Sequence, residues 1–235
     1  MIKRYVLPVL LLVMAICLPG AVAQEPENTA PAMMDGTMST HFQHAQKASR
    51  ESAVKIEGLQ GGHGSGTYVE LAGHYLVITA KHVVDRSEIY YVRTSREKVV
   101  GQVVWMSADK DIAVLKVPKL MSRRAVSLSG SRNLGVGDDI LYTGYPASYE
   151  LLTARGVVSG HSRDGSTLLQ GFVWFGYSGS GAFDDSGKLR GIVYGIGVEG
   201  YRGMPQFLET LVYVHEITKS EIAQIKKALL GIPVP

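Results

Sequence analysis

Phe175-Gly176-Tyr177-Ser178-Gly179-Ser180-Gly181-Ala182 is the stretch on which the reading of this chain turns. A serine stands among glycines, after an apolar run (171–175) and before a strand-like run, Leu189 to Ile196. Glycines on both sides permit a tight turn whose N–H groups converge on one point. Such a turn can hold a negative oxygen beside an exposed hydroxyl, which is what acyl transfer requires. A serine hydroxyl is a weak nucleophile by itself and needs a base, and the base needs a group to orient it. Two upstream stretches offer them: Thr79-Ala80-Lys81-His82-Val83-Val84 and Asp109-Lys110-Asp111-Ile112-Ala113-Val114-Leu115. The chain order is therefore His, Asp, Ser.

The first 23 residues read as a secretory leader rather than as fold. Lys3 and Arg4 precede an apolar region from Val6 to Leu18, and Ala21-Val22-Ala23 is a small-x-small cleavage site. The apolar run is too short for a membrane span; an uncleaved anchor is the alternative. Ile16 is too bulky for a lipid-attachment motif before Cys17, the single cysteine, so no disulfide is expected after cleavage. The formal charge of +3 falls to +1 once Lys3 and Arg4 leave with the leader, so nucleic acid is not an implied partner. The chain is thus expected to be exported, to the periplasm or beyond, with no stable membrane span after cleavage.

Residues 24–52 lack strand patterning and read as a linker or weakly ordered segment, with a helix possible near Thr40 to Ser52. His41 and His44 lie there without the further ligands a metal would need, and no metal or cofactor is expected. From residue 53 short strands follow one another: Val54 to Ile56, Thr67 to Leu71, Tyr75 to Thr79, Ile89 to Arg93, Val99 to Met106 and Ile112 to Lys116. Gly64-Ser65-Gly66 reads as tight turning before a strand, not as a phosphate loop, since no Gly-Lys-Ser/Thr follows. Pro118 to Asn133 reads as a linker. Ile140 to Gly144, Ala154 to Ser159, Leu168 to Gly171, Leu189 to Ile196 and Leu211 to Val214 form a second set. The expectation is an all-β domain over 53–235, with one half over about 53–120 and another over about 134–216. A C-terminal helix over 218–230 follows, capped by Thr218 with Glu221 and buried through Ile222, Ile225 and Leu229.

Taken together, these motifs resemble those of trypsin-like serine peptidases. His82 and Asp111-Ile112-Ala113-Val114-Leu115 are similar to that family's His and Asp signatures, and Gly176-Tyr177-Ser178-Gly179-Ser180-Gly181 is similar to its Gly-x-Ser-Gly-Gly-Pro. Gly64-Ser65-Gly66, Val136-Gly137-Asp138, Gly144-Tyr145-Pro146, Gly156-Val157-Val158-Ser159 and Gly187-Lys188-Leu189-Arg190-Gly191-Ile192 resemble the HtrA-like bacterial branch. The likeness covers about residues 60 to 200. It implies a chymotrypsin-like fold of two six-stranded antiparallel β-barrels with the site between them. It also implies a triad of His82, Asp111 and Ser178, an oxyanion hole from the N–H groups of Gly176 and Ser178, and polypeptide substrates. By register with the family, Tyr194-Gly195-Ile196 would wall the primary pocket and Phe172 would lie near its base; with no acid and no histidine there, a small or apolar residue before the cut is expected. Tyr177 stands where zymogen-type members have an aspartate, so activation by an inserted N-terminus is not expected. The chaperone-like branch adds a PDZ module after the catalytic domain, and with about 55 residues following Ser178 none is expected here. The oligomeric state stays open.

Each role has rivals. Asp109 competes with Asp111, but the apolar run begins directly after Asp111; Asp85 reads as a loop residue. Ser180 competes with Ser178 but lacks a glycine two places before it. His63, His74, His161 and His215 read as surface or packing residues. Two other functions are weighed: a catalytically inactive peptide-binding module on the same scaffold, and an esterase, whose usual α/β fold orders its triad differently. Cleavage of the leader predicts that the exported protein begins at Gln24, and amino-terminal sequencing that finds Met1 intact would contradict it.

Overall fold

Leu76, Val77 and Ile78 lie in a strand that is buried on both faces, and this fixes where the two halves of the molecule meet. Val77 points into one hydrophobic cluster with Val54, Ile56, Tyr68, Val92 and Leu115. Leu76 and Ile78 point the other way, into a second cluster with Leu141, Phe183, Leu189 and Ile192 from the C-terminal half. A strand alternates its side chains between faces, so an unbroken apolar run is what a strand between two cores needs.

The computed structural model describes residues 40–128, 133–201 and 204–233. The expected leader and residues 24–39 lie outside the described residues. Helix α1 (Thr40–Ser52) comes first, then β1 (Ala53–Glu57), β2 (His63–Leu71), β3 (His74–Thr79), β4 (Ile89–Arg93), β5 (Lys98–Met106), β6 (Ala113–Lys116) and the two-residue β7 (Val126–Ser127). The C-terminal half holds β8 (Asp139–Gly144), β9 (Leu152–His161), β10 (Thr167–Gly171), β11 (Gly181–Asp184), β12 (Leu189–Tyr201), β13 (Met204–Glu216) and helix α2 (Lys219–Leu229). The first six strands run β1-β4-β5-β6-β3-β2, and pairing of β1 with β2 closes them into an antiparallel barrel. The second closed barrel runs β10-β13-β12-β11-β8-β9. The all-β class and the two six-stranded barrels agree with the expectation.

Two local readings are corrected. Gly64-Ser65-Gly66 lies inside β2 rather than in a turn before it. Its glycines answer to crowding: a Cβ on Gly64 would lie 2.7 Å from Val83, and one on Gly66 would lie 2.4 Å from Val77. The stretch read as a linker, 118–133, contains β7, whose Val126 and Ser127 pair in parallel with Val69 and Glu70. The helix expected near Thr40 to Ser52 is present as α1, and it is packed. Its Ala45 is fully buried in the cluster between the barrels, and its Ser49 hydroxyl lies 2.7 Å from that of Thr143 on β8.

Helix α2 seals the same seam from the other end. The Thr218 side chain accepts from the Glu221 N–H, and the Glu221 carboxylate accepts from the Thr218 N–H, which is the expected capping box. Ile222 and Ile225 are buried and Leu229 packs against the cluster. Glu221 also bonds His215 of β13 at 2.6 Å, both groups being buried.

The turn that returns the chain from β11 to β12 is tied by a buried ion pair. Arg190 places Nε and Nη2 at 2.7 and 2.5 Å from Asp184 Oδ2, while Oδ1 accepts from the Ser186 hydroxyl and the Lys188 N–H. Burial opposes ionisation of Asp184, but these hydrogen bonds outweigh it and hold the carboxyl below its ordinary 3.8. Removing one partner of a buried pair leaves the other charge stranded. Arg190→Met should therefore cost roughly 3 kcal/mol in urea unfolding at neutral pH. The stabilisation from the lowered carboxyl is complete above its ordinary value and fades as pH falls through the lowered one, so the deficit should shrink in acid.

Candidate active site

His82 sits on a single 3-10 turn, Lys81–Val83, directly after β3, and Asp111 sits just before β6. Because β3 and β6 pair side by side, with Thr79 opposite Ala113, the two loops emerge together at one end of the first barrel. Asp111 Oδ2 lies 2.6 Å from His82 Nδ1, and Oδ1 accepts the His82 N–H at 2.9 Å. A carboxylate can only accept, so Nδ1 carries the hydrogen and Nε2 of the neutral ring keeps its lone pair. The hydrogen bond to Asp111 raises the His82 pKa above 6.5, although burial acts against it. Burial likewise opposes ionisation of Asp111, and the hydrogen bonds from the ring and main chain of His82 outweigh it, holding the carboxyl below 3.8. The rival Asp109 instead accepts from Ser107 Oγ at 3.0 Å within its own loop.

The second barrel supplies the turn 174–180 between β10 and β11. Tyr177 N–H donates to the Trp174 carbonyl, Gly179 N–H to Val193 and Ser180 N–H to Tyr177. Among the described residues the amides of Gly176 and Ser178, between them, donate to no backbone carbonyl. The Phe175 carbonyl accepts from the Ala147 N–H at 2.8 Å. In a planar trans peptide the N–H points opposite to the C=O, so Gly176 N–H is directed away from Ala147. Ala147 holds this bond from a left-handed backbone (φ 48°), a conformation that costs a non-glycine residue about 1–2 kcal/mol. Gly176 itself has φ 101°, where a side chain would be strained and its Cβ would lie 2.4 Å from the Tyr145 carbonyl. Tyr177 anchors the turn by burying its ring edge-on against Tyr142 and Phe172.

Ser178, Gly176 and His82 line one cavity of about 440 Å³, together with residues 58–63, Val83, Arg86, Ser87, Tyr90 and Phe175. No hydrogen bond joins His82 to Ser178, so serine and base face the same space without being locked together. The rival Ser180 has no access to that space. It is fully buried, and its hydroxyl has no hydrogen-bond partner.

The remaining expected site residues lie elsewhere. Tyr194, Gly195 and Ile196 follow the β11 pairing of β12, which ends with Gly181 opposite Ile192. Gly195 and Ile196 pair with Tyr213 and Val212 of β13, and no strand pairs with their other edge among the described residues. Tyr194 turns its hydroxyl to Ser166 at 2.7 Å. Phe172 is half exposed in a separate apolar cavity of about 260 Å³, with Pro146, Ala147, Tyr149, Leu152, Trp174 and Glu209. The structure therefore does not bring Phe172 or 194–196 into the cavity at Ser178. Among the described residues no cluster of His, Cys, Asp or Glu is arranged to hold a metal ion, and no helix is long and apolar enough to cross a membrane.

The sequence assigns two residues at the site no role there. His63 Nε2 lies 2.9 Å from the Tyr145 carbonyl, and Ser65 Oγ donates to the Gly176 carbonyl at 2.7 Å. Their neighbours are 82 and 111 residues away in sequence, and only the glycine-rich crowding around them hinted at a close approach.

Comparison with known proteins bears on the family and the fold. The model of the trypsin-like peptidase domain matches residues 64–192. The periplasmic serine endoprotease DegP of Salmonella typhimurium is 30% identical over 138 residues, covering 55% of this chain and 29% of that protein. Protease Do-like 1 of Arabidopsis thaliana chloroplasts is 28% identical over 160 residues, covering 62% and 36%. The chain thus spans about a third of the length of these relatives. In fold it is similar to the serine endoprotease from Yersinia pestis, with a TM-score of 0.64, 19% identity, and 82% of this chain and 67% of that one covered.

With His82 as the base for Ser178, the His82–Asp111 geometry should set a pH profile for reaction there. His82 accepts a proton only when neutral, so phosphonylation of Ser178 by a fluorophosphonate should rise with pH through a midpoint above 6.5. Asp111→Asn should slow it by roughly 10⁴-fold, because the amide favours the wrong tautomer. An unchanged rate and midpoint in that variant would separate the pair from the chemistry.

Proposed function

Because the chain belongs to the trypsin-like peptidase family, we propose that it is an exported serine endopeptidase that cleaves polypeptides through His82, Asp111 and Ser178. The observation that carries this reading is the convergence at one cavity of a base with a free Nε2, a carboxylate fixing its tautomer, and a serine flanked by unpaired amides.

In this mechanism Ser178 Oγ attacks the substrate carbonyl carbon while His82 Nε2 takes its proton. The carbonyl oxygen becomes negative and moves to the Gly176 and Ser178 amides, where each donor is worth roughly 3 kcal/mol of barrier. His82, now charged and stabilised by Asp111, gives its proton to the leaving nitrogen as the C–N bond breaks. Water then attacks the acyl-enzyme by the same route in reverse, and Ser178 recovers its proton. The family's catalytic chemistry calls for no metal or cofactor. The part of the substrate before the cut extends along the unpaired edge at 194–196, where main-chain hydrogen bonds add it as a strand. The preference for a small or apolar side chain before the cut rests on the family register alone, since neither Phe172 nor 194–196 lines the cavity at Ser178. Export to the periplasm or beyond rests on the leader of residues 1–23 and on the periplasmic location named for the DegP relatives.

A fluorophosphonate probe should label the wild-type protein, and Ser178→Ala should abolish both labelling and peptide hydrolysis, the latter by roughly 10⁴-fold or more. A folded wild-type protein that neither labels nor cleaves any peptide would leave only the scaffold, as an inactive peptide binder. A peptide-library digest should show cuts after small or apolar residues; cuts chiefly after Arg, Lys or Glu would remove that preference.

A further inference from the structure

We propose that Ser65, in the first barrel, is a positioning residue that holds the 176–178 turn in its anion-binding form. The proposal rests on reading that turn as the oxyanion site. Ser65 lies on β2, is fully buried, and has all three of its polar groups engaged, in four hydrogen bonds. Its N–H donates to the Ser178 carbonyl at 2.8 Å. Its hydroxyl donates to the Gly176 carbonyl at 2.7 Å and accepts from the Tyr145 N–H at 2.9 Å. Its own carbonyl accepts from Thr79 Oγ1 at 2.7 Å.

The geometry of Gly176 explains why this matters. Two peptide planes flank it: its N–H belongs to the 175–176 plane, and the 176–177 plane fixes the Cα about which that first plane could turn. The 175–176 plane is held by Ala147 through the Phe175 carbonyl, and the 176–177 plane is held by Ser65 Oγ. Glycine has no intrinsic preference for φ near +100°, since it lacks the Cβ that restricts other residues. Its conformation is therefore imposed from outside, and Ser65 is one of two clamps. The same hydroxyl also braces the 144–145 peptide through the Tyr145 N–H, while the Tyr145 carbonyl, in the next peptide plane, lies 2.9 Å from His63 Nε2 on the way to Ala147. Both clamps thus converge on Ser65: directly at Gly176, and through residues 145–147 at Phe175.

Without the hydroxyl, the Gly176 carbonyl and the Tyr145 N–H lose their partners in a buried place. The turn gains reason to rotate in search of new ones. The Gly176 amide then spends part of its time away from the developing anion. Substrate binding along the free edge does not use that amide, so the loss falls on turnover rather than on binding.

The test compares Ser65→Ala, Ser65→Cys and the control Ser49→Ala in the full chain, with a peptide substrate and a peptidyl trifluoromethyl ketone. Ser49 is also a buried hydroxyl with a side-chain partner, Thr143, but it belongs to α1 and touches nothing at the site. Ser65→Ala should lower kcat by about 10- to 100-fold, less than the 10²–10³-fold typical of deleting an oxyanion donor. KM should stay within about two-fold, the ketone should weaken by the same factor as kcat, and the acidic midpoint set by His82 should not move. Ser65→Cys, which keeps a weak donor in place, should recover part of the loss. Ser49→Ala should melt earlier with kcat unchanged. If Ser65→Ala does not fold, the Cys variant carries the test through its kcat and its ketone affinity. Unchanged kcat and ketone affinity in the folded Ser65 variants would overturn the proposal, as would a loss matched by Ser49→Ala. A wild-type protein inert to fluorophosphonate would instead fail the peptidase reading itself.

Discussion

The backbone of Ser65 and the turn at Ser178 approach so closely that no side chain fits between them, and the geometry of the site depends on this approach. A Cβ on Gly179 would lie 1.9 Å from the Ser65 carbonyl and 2.2 Å from Thr79 Oγ1. A Cβ on Gly144 would lie 2.5 Å from the Ser65 hydroxyl. The glycines are thus the space that lets one barrel grip the other, and the hydrogen bonds from Ser65 are the grip. Closeness of this order demands a firm seam behind it. The cluster of Leu76, Ile78, Val114, Leu141, Phe183 and Ile192 supplies that seam, with α1 and α2 packed against it.

Seen from the chemistry, the two barrels divide the labour. The first presents an imidazole and a carboxylate on adjacent loops, already hydrogen-bonded and mutually stabilised in their charged form. The second presents a hydroxyl and two unspent amides on one tight turn. The base is poised by its partner before any substrate arrives, whereas the hydroxyl is not yet bonded to it. Apolar packing of Tyr177 anchors the turn from beneath, in a position where a carboxylate would have needed a cation. In the proposed mechanism the anion site is preorganised by the fold, which is where a large part of such catalysis comes from.

Much of this was legible in the residues. The spacing of short apolar runs gave the β class and the two halves, and the Thr218–Glu221 pattern gave the cap of α2, because both signals are local. Strand β11 was not legible: Gly181-Ala182-Phe183-Asp184 has no alternation, and it becomes a strand only by pairing with β8 and β12. The same holds for β7, two residues whose pairing partner lies far back in β2. Gly64-Ser65-Gly66 looked like a turn because glycine usually breaks strands. Here it marks a strand pressed against another backbone. His215 read as surface or packing, and its buried bond to Glu221 could not be foreseen without knowing that α2 folds back over β13. Phe172 was aligned with a pocket base by register, and it lies in a separate apolar cavity.

The central claim is that the Gly176 and Ser178 amides and the His82 ring converge on one reacting centre. The most direct measurement is a crystal structure of the mature chain with a peptidyl boronic acid bonded to Ser178 Oγ. The account predicts one boronate oxygen at about 2.7–3.1 Å from both amides and a hydrogen bond from His82 Nε2 to another. An adduct whose oxygens find neither amide, or a boronate bonded to a different residue, would contradict it.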